Sequence, residues 1–123
     1  MAGFAQEPNY DFLKGVELTQ ICVSRYSVLF KFTEGPSINM VTEFNHFDAA
    51  KNTTSRYDIE GATKDFTVQW LLNLRTTAVE IVSDDVLKLT FENGDTLSFL
   101  RRNDGYESMT IYNGKDGFPI VID

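Results

Sequence analysis

The chain is poor in the side chains that most catalytic and metal chemistry uses. It has one cysteine, Cys22, and one histidine, His46, in 123 residues. A single cysteine excludes an internal disulfide. Cys22 lies in the apolar run Ile21-Cys22-Val23, which predicts a small buried hydrophobe. Structural zinc takes four cysteine or histidine ligands, so no metal and no cofactor is expected. A Ser-His-Asp or Cys-His arrangement would have to use His46. That residue stands in "FNHFDAA", and no spacing ties it to a serine or to Cys22. A structural or exposed histidine is the expectation, and no catalytic residue is assigned.

Positive charge is also scarce. Eleven Lys and Arg face eighteen Asp and Glu, for a formal net charge of −7. Nucleic-acid binding needs cations that displace counterions from phosphates. The chain offers Arg101-Arg102 and scattered single residues, so no nucleic-acid partner is expected. No hydrophobic run approaches the roughly 20 residues of a spanning helix, and no membrane association is expected. The opening "MAGFAQEPNYDFLKG" has no basic start and no continuous apolar stretch. It does not read as a secretory signal, which points to a cytoplasmic protein. The glycines form no Gly-x-x-x-x-Gly-Lys loop, and "EGATKD" has the wrong spacing for one.

What is present is β-forming material. Hydrophobic residues make up 42% of the chain, with ten Phe and five Tyr. This is a globular composition with side chains that suit pleated, half-buried surfaces. The length predicts a single domain spanning residues 1–123.

One pattern occurs twice. With Phe32 set against Phe91, an offset of 91 − 32 = 59, Gly35 meets Gly94, Ile38 meets Leu97, and Met40 meets Phe99. Upstream, Val28 meets Leu87 and Phe30 meets Leu89, and one further slip sets Gln20-Ile21 on Glu80-Ile81. The agreement predicts an internal duplication, with units at about 16–44 and 78–101.

Parity then selects the turn. Leu87, Leu89 and Phe91 share one face of a strand. A two-residue Asn93-Gly94 loop would put Leu97 and Phe99 on the other face. A three-residue loop, Glu92-Asn93-Gly94, pairs Leu89 with Leu97 and Leu87 with Phe99, with Gly94 left-handed after a type I turn. The same logic pairs Phe30 with Ile38 and Val28 with Met40 around Thr33-Glu34-Gly35. Pro36 lacks a donor, which predicts an edge or an unpaired end for its strand. Each unit starts with one more strand, Val16 to Ser24 and Ala78 to Ser83. The fold class is therefore mainly β, a β-rich α+β protein, with two three-stranded meanders packed as a sandwich or a partly open barrel.

Between the units, Ser55 to Glu60 reads as a short strand. "DFTVQWLLNL" is ambiguous. Val68, Leu71 and Leu72 have helical spacing and Asp65 can cap, whereas Phe66, Val68 and Trp70 alternate. A short helix near 65–74 is preferred, with Trp70 in the core. Tyr106 to Tyr112 and Phe118 to Ile122 predict a C-terminal hairpin around Asn113 to Gly117.

Carboxylates recur at Asp84-Asp85, where a turn accounts for them, at Asp58 and Glu60, which can share a strand face, and at Asp95. A glycosidase-type pair would need a cleft that the sequence does not define. The polar and aromatic group Arg101, Arg102, Tyr106 and Glu107 is the candidate partner-binding site, because Arg and Tyr are common interface anchors.

The segments "VSRYSVLFKFTEGPSINM", "WLLNLRTTAVEIVSDDVLKLTFENGDTLSF" and "GYESMTIYNG" resemble a family of small duplicated β-rich bacterial proteins of unknown function. The shared features are Phe91-Glu92-Asn93-Gly94, Leu97 and Tyr106-Glu107, within a likeness from about Leu13 to Ile122. The resemblance implies a duplicated β scaffold and brings no catalytic residues. In size, charge and scaffold the chain is also similar to immunity proteins of bacterial toxin systems, which implies binding to a basic toxin-like protein. The expected function is a non-enzymatic protein-binding module, an immunity-type inhibitor. The alternatives are a small-ligand-binding β-barrel, suggested by the aromatic faces, an enzyme using His46 with carboxylates, and a homo-oligomeric structural domain. Open sheet edges, and the alternation of Met109 and Ile111 with polar neighbours, lead to the expectation of a homodimer.

Overall fold

A computed structural model describes residues 3–4, 9–59, 67–102, 106–115 and 119–123. Ten strands build it: β1 (Leu18–Val23), β2 (Val28–Phe32), β3 (Ser37–Met40), β4 (Glu43–Asp48), β5 (Thr53–Asp58), β6 (Thr76–Ser83), β7 (Val86–Phe91), β8 (Thr96–Leu100), β9 (Met109–Tyr112) and β10 (Pro119–Ile122). A 3-10 turn precedes each meander, at Asp11–Leu13 and at Val68–Leu71. All pairings are antiparallel, and they form two five-stranded sheets. The sheets pack as a sandwich and do not close into a barrel.

Both meanders have the expected register. Leu89 pairs with Leu97 and Leu87 with Phe99, and Phe30 pairs with Ile38 and Val28 with Met40. Gly94 has φ +92°, the left-handed conformation a bulged three-residue loop requires, whereas in the other loop both Glu34 (φ +73°) and Gly35 (φ +104°) are left-handed, so that loop keeps the register without the type I turn expected of it. Each three-residue loop is closed by a Phe N–H donating to the carbonyl of the residue after the glycine, Phe91 to Asp95 at 2.8 Å and Phe32 to Pro36 at 2.9 Å.

The sheets exchange their last two strands. The order of one is β1-β2-β3-β9-β10, and that of the other is β6-β7-β8-β4-β5. Each meander is therefore completed by a hairpin from the other half of the chain. This places Phe30 of one sheet edge-on to Phe44 and Phe99 of the other, with ring centroids 5.2 and 5.3 Å apart. All three rings are fully buried. Burial of each contributes about 1.5–3 kcal/mol, with somewhat more from the edge-to-face geometry.

The halves meet where β1 and β6 begin. Glu17 bridges Arg75 across the sheets, and Arg75 also pairs with the Glu17 carboxylate at 2.8 Å. Around this point the hydrogen bonds come in matched sets. Leu18 N–H donates to Leu74 O as Thr76 N–H donates to Val16 O, and Thr33 N–H donates to Glu17 O as Glu92 N–H donates to Arg75 O. On β1 and β6 this correspondence has an offset of 76 − 18 = 58. Ile21, opposite Phe30, therefore matches Val79, opposite Leu89, and not Ile81. The difference arises because β6 carries a second irregularity before its two-residue turn, whereas β1 reaches β2 through a four-residue link.

Several expectations are corrected. Trp70 is 74% exposed, because the segment is a 3-10 turn rather than a longer helix. Three residues per turn put Val68 and Leu71 on one inward face and turn Trp70 to solvent. The cap expected at Asp65 and the alternation starting at Phe66 lie outside the described residues, as do Glu60 and Phe118. Cys22 is half-buried, because β1 is an edge strand and Cys22 faces away from the core-facing Ile21. Of the two places expected for Pro36, the edge is excluded, since β3 lies between β2 and β9, and the unpaired end is the one observed. The missing donor falls in the turn, before the ladder begins at Ser37. Met109 and Ile111 offer no free apolar face, because β9 is also interior and both side chains are in the core. No helix among the described residues is long and apolar enough to cross a membrane.

Candidate partner-binding site

The sandwich has two ends. The β1–β2 and β6–β7 turns, the β3–β4 link and the β8–β9 connection share one of them. There, β8 finishes at Leu100 and the chain continues through Arg101 and Arg102. Adjacent residues leaving a strand diverge, and these two do. Arg101 turns to the β6–β7 turn, where Nη1 lies 3.2 Å from both the Asp84 and Asp85 carboxylates. Its side chain is 6% exposed, and its backbone N–H donates to Asp85 O. Arg101 therefore ties this end of the sandwich together.

Arg102, Tyr106 and Glu107 come together elsewhere. They line an open pocket of about 380 Å³ with Tyr26, Val41, Thr42 and Ile59. Thr42 is held by its hydroxyl, which donates to Leu100 O at 2.9 Å, and Ile59 N–H donates to Thr42 O at 2.8 Å. The floor is thus pinned to both β5 and β8. Arg102 Nη2 lies 3.6 Å from Asp58 Oδ1. Glu107 Oε2 accepts from the Thr110 hydroxyl at 2.6 Å, which fixes the carboxylate against β9. Tyr26 is 71% and Tyr106 77% exposed. Of the four residues expected at the site, three line one pocket and Arg101 does not. Tyr26, Val41, Thr42 and Ile59 were missed. They stand far apart in the sequence, and only the hairpin exchange brings β3, β5 and β8 to a common end.

The opposite end holds a buried polar chain that joins His46 and Asp95 to Tyr57 and Thr67, a grouping no sequence spacing indicated. His46 on β4 is 1% exposed. Its Nε2 lies 2.8 Å from Asp95 Oδ2, and its Nδ1 lies 2.7 Å from Thr67 Oγ1. Tyr57 OH is 2.6 Å from the same Thr67 hydroxyl and accepts from Thr67 N–H at 2.7 Å. The four residues form one continuous chain of hydrogen bonds. Thr67 N–H donates to the Tyr57 hydroxyl and Asp95 Oδ2 accepts from His46 Nε2, while the Tyr57–Thr67 and Thr67–His46 contacts close the chain between them. Asp95 Oδ1 also accepts from Ala49 N–H at 2.9 Å. Burial alone would raise the Asp95 pKa. The hydrogen bonds from Ala49, His46 and Asn93, with the attraction of His46, outweigh it and hold the carboxyl below its ordinary value.

Hydroxyl, imidazole and carboxylate stand here in the order of a nucleophilic triad. Both imidazole nitrogens are engaged within the chain, and the ring is enclosed. The arrangement thus secures the start of the second 3-10 turn, through Thr67, to β4, β5 and the β7–β8 turn. Among the described residues no group of three or more His, Cys, Asp or Glu is placed to hold a metal ion.

No family model, no curated protein and no solved structure matches the chain.

Proposed function

We propose that this chain is a non-enzymatic protein-binding module that captures a basic protein partner, in the manner of an immunity-type inhibitor acting in the bacterial cytoplasm. The observation that carries this reading is the pair of tyrosines, each more than 70% exposed, on one pocket with Arg102 and Glu107. Exposed Tyr and Arg around a concave centre have the composition of an interface anchor. Charge supports the basic partner. Arg56, Arg75, Lys88, Arg101 and Arg102 are all spent in ion pairs with the chain's own carboxylates. The net charge of −7 then steers a positive protein toward the surface. The likeness to toxin-system immunity proteins points the same way.

We also read the scaffold as a duplicated five-strand unit that exchanged hairpins with its copy. The matched hydrogen bonds at an offset of 58, and the matched strand order, support this history.

The test is affinity capture from native lysate with the wild-type protein and with Tyr26→Ala/Tyr106→Ala. The expected result is one basic protein held stoichiometrically by wild type and lost by the double variant. Equal capture by both proteins, or no stoichiometric partner, would overturn the reading. Edge strands β1 and β6, where Val23 is 58% and Val82 50% exposed, favour a second reading, a homodimer joined edge to edge. Sedimentation at high concentration giving a monomer alone would exclude it.

A further inference from the structure

Each three-stranded meander is completed by a hairpin, β4–β5 on β8 and β9–β10 on β3. The two docking registers are the same. Phe44 lies opposite Phe99 and His46 opposite Leu97, as Met109 lies opposite Met40 and Ile111 opposite Ile38. The hairpins therefore offer the same backbone to the same kind of strand. A β4–β5 hairpin from a second copy of the chain has the register to dock on β3, with Phe44 in the place of Met109.

The polar corner is what tells the two hairpins apart. His46, Ala49 and Tyr57 come from the first half of the chain, and Thr67 and Asp95 from the second. All five hydrogen bonds among them join one half to the other. On β3, the β4–β5 hairpin would meet Pro36 where Asp95 stands, because each of these residues follows the loop glycine and receives the Phe N–H. His46 would be enclosed without its carboxylate and without Thr67. The converse pairing, β9–β10 on β8, would enclose the Asp95 carboxylate beside Ile111. A buried polar group left without its partner is disfavoured by more than the completed bond is favoured. A symmetric association of like halves repeats the fault in both copies.

We infer that the polar corner decides which halves pair. It admits a first half only against a second half, its own or that of another copy, and rejects a second copy presented like against like. The apolar corner, with Ile111 and Ile122, has no such selectivity, since one apolar neighbour serves there as well as another. This inference rests on the matched halves and is independent of the partner-binding reading.

A disulfide that only the rejected pairing can close tests it. In a Cys22→Ser background, Asn39→Cys and Asn45→Cys place thiols between core-facing residues of β3 and β4, on the outer faces of different sheets. Packed sheets lie about 10 Å apart and these side chains point away from each other, so no link closes within one chain. With β4 of a second copy on β3, the two positions would be directly opposite, as Asn39 and Thr110 are. Their Cα atoms would then be about 4.5–5.5 Å apart, within reach of a disulfide. The protein is refolded from urea at high concentration in a glutathione redox buffer. The covalent dimer is digested after glutamate, where cleavage at Glu43 separates the two positions, and its links are counted by mass spectrometry.

With the native corner, links between positions 39 and 45 should be no commoner than the chance 39–39 and 45–45 links. With His46→Ile, Tyr57→Ile, Thr67→Val and Asp95→Pro added, they should exceed chance roughly tenfold or more. His46→Leu with Asp95→Leu, which keeps the Tyr57–Thr67 contacts, applies the same test if the fourfold variant does not refold, with a smaller excess expected. Ile111→Ala weakens the opposite corner and should leave the links at the chance level. An excess with the native corner, or none once the corner is apolar, would overturn the inference. So would an equal excess in Ile111→Ala, because instability alone would then account for it.

Discussion

Two corners at one end of the sandwich occupy matching places and are filled with opposite chemistry. In one, Asp95 follows Gly94 and its carbonyl receives the Phe91 N–H. His46 lies between Leu97 and Ser55, and Tyr57 lies opposite Phe44. In the other, Pro36 follows Gly35 and receives the Phe32 N–H. Ile111 lies between Ile38 and Ile120, and Ile122 lies opposite Met109. One backbone thus accepts either a hydrogen-bonded chain or an apolar plug. The polar solution has a price, because a buried carboxylate and imidazole must keep every partner to avoid an uncompensated desolvation cost. What it adds is direction. Thr67 is bonded through both its hydroxyl and its N–H, which fixes where the chain enters the second 3-10 turn. The apolar corner supplies burial without that restraint.

The largest expected effect comes from breaking the polar corner halfway. His46→Leu leaves Asp95 buried beside an alkyl group and strips the Thr67 hydroxyl of its imidazole partner. A loss of about 3–5 kcal/mol in urea unfolding is expected. Converting the whole corner to apolar residues, His46→Ile with Asp95→Pro, Tyr57→Ile and Thr67→Val, should recover part of that loss, because the polar side chains leave together and only the backbone N–H groups of residues 49 and 67 lose their acceptors. A single His46→Leu costing under about 1 kcal/mol would show that the chain of hydrogen bonds is not closed in solution.

Glycine contacts give the next effect, again unequal between the corners. Gly114 has φ +86°, and a Cβ there would sit 2.5 Å from the Gly35 carbonyl carbon. Gly94 meets only the Ala49 Cβ, at 3.2 Å. Each Gly→Ala change adds left-handed strain, but only Gly114→Ala also forces backbone against backbone. Losses of about 3 kcal/mol for Gly114→Ala and about 1–2 kcal/mol for Gly94→Ala are expected. Thermal unfolding that ranks them in reverse would show that the β9–β10 turn relaxes away from Gly35.

A smaller effect sets the corners apart by pH. The folded Asp95 pKa is lowered from 3.8, so the unfolded state binds its proton first. The stabilisation from Asp95 is complete above pH 3.8 and disappears as pH falls through the folded value. Wild type should therefore lose stability on acidification more steeply than the fourfold apolar variant, which lacks this carboxylate. Parallel acid limbs in denaturation would mean that Asp95 has the same affinity for protons folded and unfolded.

The contrast also explains what the sequence could reveal. The hairpins were legible because a period of two allows only one loop length to keep Leu87, Leu89, Leu97 and Phe99 on one side. The hairpin exchange was not, since neither Phe44 and His46 on β4 nor Met109 and Ile111 on β9 mark in the sequence the sheet that each strand joins. The polar corner was hidden because residues 46, 57, 67 and 95 have no spacing in common. One signal was available. At an offset of 59, Asp95 replaces Pro36 immediately after the matched glycines, a charge where the pattern calls for none. Trp70 misled because apolar composition was read as burial, while a three-residue turn had already committed Val68 and Leu71 inward.

The smallest expected change in stability belongs to the other end of the molecule. Tyr26 and Tyr106 are each more than 70% exposed, so truncating them removes little buried surface. Tyr26→Ala/Tyr106→Ala should shift unfolding by about 0.5 kcal/mol or less. Exposed Phe and Tyr side chains without a role are a solubility liability, and a folded protein gains little by displaying two beside one pocket. The informative quantity is therefore a ratio, loss of partner capture against loss of stability. At the His46 corner stability should collapse, and capture should fall only with it. At the Tyr26 and Tyr106 pocket capture should vanish while the unfolding midpoint stays in place. If the double variant instead unfolds as readily as His46→Leu, the tyrosines brace the β1–β2 turn and the β8–β9 connection, and the pocket is a structural joint.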